Sequence, residues 1–107
     1  MRFFGAPDES IWVGVLRLQF RVPGARSLKD KRQVVRSILD RVRGGFNVSA
    51  AEVDTHDDVK VATLAFAAVG FETSAVQHAL QQIAEALRRH PVAEYLSSET
   101  SVCSEIV

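Results

Sequence analysis

Between Ile11 and Val22 apolar and polar positions alternate. Leu16, Leu18, Phe20 and Val22 fall on one side of an extended chain, and Arg17, Gln19 and Arg21 on the other. A period of two among β-prone residues predicts a half-buried strand. Pro23-Gly24 ends it in a turn. Ser27 stands three residues before Asp30, the spacing of a capping box with Asp in place of Glu. The helix it opens buries Leu28, Val35, Ile38, Leu39 and Val42, and Gly44-Gly45 stops it. Residues 46–53 predict a second strand with Val48 and Val53 inside, and the polar stretch 54–58 a hairpin loop. Residues 59–71 carry the strongest strand pattern, with Leu64, Phe66 and Ala68 on one face and Thr63, Ala65 and Ala67 on the other.

Thr73 or Ser74 opens a second helix, and Ser74 with Gln77 offers the better capping box. Its stripe of Val76, Leu80, Ile83 and Leu87 has helical spacing, and Pro91 follows its end. Residues 95–107, with Tyr95, Leu96, Val102 and Ile106, supply a last strand. The order β-α-β-β-α-β predicts a ferredoxin-like α+β fold, a four-stranded antiparallel sheet with two helices on one face. Two helices with one apolar stripe each cover only that face. The other is left to water or to a partner, and its small apolar positions Val13, Val15, Ala51, Ala65 and Ala67 are a candidate homodimer face.

Length and composition fit one domain: 107 residues, 47% hydrophobic and 24% charged. Residues 11–107 form it, and residues 1–10 are expected to be a flexible extension. The lone Cys103 allows no internal disulfide and suits a reducing compartment. The start has no secretory pattern and the longest apolar run is too short for a bilayer. A cytoplasmic protein without a membrane partner is therefore expected.

Net charge is zero, yet its distribution is lopsided. The stretch from Arg17 to Arg43 holds nine cations against Asp30 and Asp40 only, and an equal acidic excess lies elsewhere. At ~100° per residue, Lys29, Arg32, Arg36 and Arg43 fall within an arc of about 60° beside the apolar stripe. Lys31 falls inside the stripe, with its stem along the core edge and its ammonium expected to reach out. With Arg26 and the amides of the helix start, these six residues form a candidate polyanion site for RNA or a ribosomal particle. The same pattern also suits a solvated face paired with nearby acids, or contact with an acidic protein. The open face offers no aromatic platform, so RNA binding there would not use base stacking.

Other chemistry is sparse. Glu52, Asp54, His56, Asp57 and Asp58 cluster at the hairpin, but their spacing matches no metal loop, and turn-forming Asp accounts for most of it. No metal is expected. Cys103 lacks a recognisable base partner and reads as a small buried apolar group. His78 and His90 read as surface or capping residues, and Trp12 as packing. No phosphate-cradling glycine loop occurs. No catalytic residue, cofactor or small-molecule substrate is indicated, so a non-enzymatic protein is expected.

Residues 11–20, the stretch Pro23-Gly24-Ala25-Arg26-Ser27-Leu28-Lys29-Asp30-Lys31-Arg32, and residues 43–54 with Phe46-Asn47-Val48-Ser49 resemble the YlxP-like family. These are small bacterial proteins of uncharacterised function. The resemblance implies a ferredoxin-like fold and a connection to RNA or the ribosome. It brings no catalytic residues.

Overall fold

Leu16, Leu18 and Phe20 alternate with Arg17 and Gln19, and the chain folds so that the apolar set is fully buried. The computed structural model describes residues 11–104. It contains β1 (Trp12–Arg21), α1 (Leu28–Gly45), β2 (Ser49–Val53), β3 (Val61–Gly70), α2 (Thr73–Arg88) and β4 (Glu94–Cys103). Residues 1–10, expected as an extension, and Ile106 lie outside the described residues. The sheet order is β2-β3-β1-β4 with every neighbouring pair antiparallel. With two helices on one face this is the ferredoxin-like fold.

Register decides which side chains meet the helices. Leu16 lies opposite Phe66, Leu18 opposite Leu64 and Gly14 opposite Ala68. Because side chains alternate along each strand, this set faces the core and the intervening set faces away. Val35, Ile38, Leu39 and Val42 of α1 and Val76, Leu80, Ile83 and Leu87 of α2 complete the core. Gly14 permits close approach: a Cβ there would stand 2.5 Å from Cγ1 of Val76 and 2.8 Å from Cδ1 of Leu80. Trp12 packs against the core edge. No helix among the described residues is long and apolar enough to cross a membrane.

The helix starts differ from expectation in instructive ways. Ser27 caps α1, its hydroxyl accepting from the Asp30 N–H at 3.1 Å. Asp30 returns the interaction one residue upstream of the expected donor, accepting from the Arg26 N–H at 2.9 Å. The shorter Asp side chain thus fixes the turn before the helix. In α2 the Ser74–Gln77 box does not form. The cap is Glu72, with no side-chain hydrogen bond, because the helix begins at Thr73, two residues before the start that a Ser74 cap would give. β4 carries an irregularity opposite Gln19/Phe20, which turns Tyr95 toward the core and leaves Leu96 exposed. Cys103, expected buried, is exposed, because its register opposite Val13 puts it on the face away from the helices.

Candidate nucleic-acid interface

The cations of α1 divide into two groups by their angle around the helix. Lys29, Arg32 and Arg36 are exposed, as is Arg26 just before the N-cap. Among the described residues none of their four side-chain cations has a carboxylate oxygen within 4.0 Å. Their flank faces the outer edge of β2. The guanidinium of Arg43, on the same flank, donates to the Ala50 carbonyl of that strand at 2.5 Å. On the opposite flank Gln33, Val34 and Ser37 line a hollow with His90 and Val92 at the end of α2. Lys29, Arg32 and Arg36 therefore run along the outside of the molecule, beside an edge strand.

Two members of the expected polyanion set are placed otherwise. Lys31 is completely buried. Its ammonium does not reach out but under, into the β2–β3 hairpin. It donates to the carbonyls of Thr55 at 2.6 Å, Val61 at 3.1 Å and His56 at 3.4 Å. Glu52 Oε2 lies 3.3 Å from the same nitrogen, yet has no aligned hydrogen bond. The three ammonium protons are directed to the carbonyls, and the carboxylate contributes countercharge. Desolvating an ammonium is costly without such partners, so the loop wraps Lys31 instead of exposing it. Arg43 remains exposed but its guanidinium is engaged by Ala50 and lies 3.9 Å from Asp40. In an antiparallel ladder, edge carbonyls pointing outward are open to a foreign strand, and Arg43 covers one of them.

The acidic cluster of the hairpin does not converge. Glu52 turns to the helix side to meet Lys31, while Asp54, at φ 59°, turns to the open face and binds Arg17 at 2.6 Å. Asp58 accepts from the Val61 and Lys60 N–H groups, which hold its carboxyl below the ordinary carboxylate range. Among the described residues no group of three or more metal-binding side chains assembles. Lys60 in turn donates to the carbonyls of Pro23 and Ala25, tying the hairpin to the turn that precedes α1. The exposed basic flank thus grows from a clamped base, which is the feature that sequence reasoning missed. The signal was the position of Lys31 within the apolar stripe.

On the open face, Val13, Val15, Ala51, Ala65 and Ala67 share one side of the sheet by register. Val15 is 41% exposed and the neighbouring Val69 65%. The lower part of that face is polar: Gln19 donates to Thr63, whose hydroxyl also meets that of Thr55. His78 is exposed. Nδ1 of His90 accepts from the N–H groups of Val92 and Ala93 at 3.1 and 3.0 Å. Partial burial, then the charge of Arg41, push His90 below its ordinary pKa.

Comparison with known proteins adds a lineage. A family described as "Protein of unknown function (DUF503)" matches residues 13–100. Over 88 residues the chain is 30% identical to the Uncharacterized protein YlxP of Bacillus subtilis (strain 168), covering 82% of this chain and 96% of that protein. Among solved structures, the de novo designed protein Foldit4 aligns with 92% of this chain and 99% of its own, at a TM-score of 0.45 and 14% identity. The fold assignment rests on the strand order, not on that likeness.

Proposed function

The chain belongs to the DUF503 family of proteins of unknown function, and we propose that it is a non-enzymatic, cytoplasmic protein that binds RNA, free or within a ribosomal particle, along the exposed flank of α1. One observation carries this reading: the side-chain cations of Arg26, Lys29, Arg32 and Arg36 are exposed together with no carboxylate paired to them among the described residues. Three such cations on one flank of α1, with a fourth just before its N-cap, attract phosphates, and each phosphate neutralised releases counterions. Three other titratable groups have structural engagements: Glu52 with Lys31, and Asp58 and His90 with backbone N–H groups.

The test is anisotropy of labelled total RNA across a salt series. With about four phosphate contacts, log K falls against log salt with a slope of roughly −3 to −4. Reversing charge in Lys29→Glu, Arg32→Glu and Arg36→Glu together abolishes binding, while Lys31→Met leaves it intact in the folded protein. A slope near zero, or an affinity indifferent to the triple reversal, defeats the reading.

A second reading, a homodimeric interaction domain without nucleic-acid binding, is favoured by the exposure of Val15 and Val69 beside Val13, Ala51, Ala65 and Ala67. Sedimentation at high concentration decides it: a clean monomer removes it.

A further inference from the structure

We infer that the chain forms a two-fold dimer by pairing β4 with β4 of a second copy, so that two four-stranded sheets join edge to edge. The contact is separate from the open face and from the basic flank of α1. The two edges of the sheet are unequal. β2 is five residues long, and Arg43 covers its outward carbonyl at Ala50. β4 is ten residues long and contains no Lys or Pro, the residues that most often guard an edge. Among the described residues, side-chain hydrogen bonds reach the Tyr95 and Ser98 hydroxyls of β4, but none reaches its main chain. The ladder decides which groups point outward. The Val22 N–H donates to the Lys60 carbonyl, so even-numbered β1 residues bond toward β3 and odd-numbered ones toward β4. Opposite Val13, Val15, Arg17 and Gln19 stand Cys103, Ser101, Glu99 and Ser97, whose main chain is thus satisfied. Ser98, Thr100 and Val102 turn their N–H and C=O groups outward. Their side chains lie on the helix face, by register with Leu18, Leu16 and Gly14. They are not covered by α2: with Gln77, Gln81 and Ala84 they line a groove of 530 Å³.

A second copy fits this edge better than a loose peptide. β4 pairs with β1 in unbroken register over residues 97–103, and the midpoint of that stretch is Thr100. A two-fold axis there sets Thr100 against Thr100, Ser98 against Val102 and Glu99 against Ser101. No like charges meet, and about six main-chain hydrogen bonds form. The acids of β4 already face arginines of β1, Glu94 at 3.9 Å from Arg21 and Glu99 opposite Arg17. Gln77, Gln81 and Ala84 beside the groove are uncharged. Net charge is zero, so two copies do not repel as wholes. The like-charged α1 flanks lie at the outer β2 edges, which an eight-stranded sheet holds about 34 Å apart. A copy also brings its strand already extended, without the ordering cost that a flexible peptide pays. Because β2 is short and guarded, the pairing closes at two copies instead of growing.

Sedimentation of the full chain from low to high micromolar concentration reads the assembly. The average mass is expected to rise from 11.8 kDa toward twice that value. Thr100→Pro removes one outward N–H from each copy without touching the β1 ladder, and Thr100→Lys sets like charges against each other at the axis. Each should weaken association at least about tenfold, with far-UV circular dichroism unchanged. Val15→Lys on the open face should leave it intact. In a Cys103→Ser background treated with diamide, Thr100→Cys should cross-link to its copy, at a Cα separation of about 5.5 Å. Ser98→Cys, about 14 Å from its copy, should not. A monomer at every concentration overturns the second copy as occupant of the edge. A dimer that survives both Thr100 variants, or that cross-links through Ser98→Cys in preference to Thr100→Cys, overturns the β4 pairing. A dimer lost on Val15→Lys alone overturns it too, and assigns the contact to the open face.

Discussion

Replacing Lys31 by methionine keeps the aliphatic stem and deletes the ammonium. Three carbonyls then lose a charged donor, and the Glu52 carboxylate, whose side chain is 13% exposed, loses its countercharge. Removing one partner of a buried pair costs about 3–5 kcal/mol. The value belongs in that range because Lys31 itself has no exposed surface, so water does not already share its role. The carbonyls sit in a surface loop and recover some hydration after a small movement, which argues against a larger figure. Glu52→Gln should cost less, about 1–2 kcal/mol, because the ammonium keeps its three carbonyl acceptors. Lys31→Met with Glu52→Leu should be at least about 1 kcal/mol more stable than Lys31→Met alone, since no unpaired carboxylate remains. Urea unfolding measures all three. With m of about 2 kcal/mol/M, Lys31→Met lowers the midpoint by about 2 M. Lys29→Met on the exposed flank is the control and should lie within about 0.5 kcal/mol of wild type. If Lys31→Met costs less than about 1 kcal/mol, or no more than the control, the buried clamp is refuted.

Gly14→Ala forces a methyl group against Val76 and Leu80. It should cost about 1–3 kcal/mol by overpacking, read as a fall in thermal midpoint that Gly24→Ala, with nothing near its Cβ, does not show. Asp54 holds a left-handed backbone, so Asp54→Val should cost about 1–2 kcal/mol. Asp54→Gly relieves that strain and loses only the exposed Arg17 pair, for a net change within about 1 kcal/mol by urea unfolding. Because the folded pKa of His90 lies below its ordinary value near 6.5, the unfolded chain binds the proton more readily. The stability His90 contributes is therefore present above pH 6.5 and lost as pH falls through the folded value. Urea midpoints at pH 7.5 and 5.5 should show this fall, and His90→Asn should flatten it.

The ferredoxin-like order was legible along the chain because the alternation of Leu16, Leu18 and Phe20 and the stripe of Val76, Leu80, Ile83 and Leu87 are local properties. Each residue's side of an element follows from its neighbours' spacing, whatever lies across the core. The same arithmetic placed Lys29, Arg32 and Arg36 on an outer flank, and it placed Lys31 in the apolar stripe. What spacing cannot express is the destination of a long side chain. An ammonium at a core edge can reach water or reach inward, and the choice depends on acceptors supplied by another element. Thr55, His56 and Val61 are some 24 to 30 residues away in sequence; only the return of β3 beside β2 brings their carbonyls beneath α1. Register likewise decided that Cys103 faces outward and that Arg43 covers the edge carbonyl of Ala50. The sequence by itself determined the elements and the location of the charge. Tertiary structure alone decided which charges are spent holding the fold and which remain exposed, because that depends on desolvation and on donors and acceptors that meet only in the folded chain.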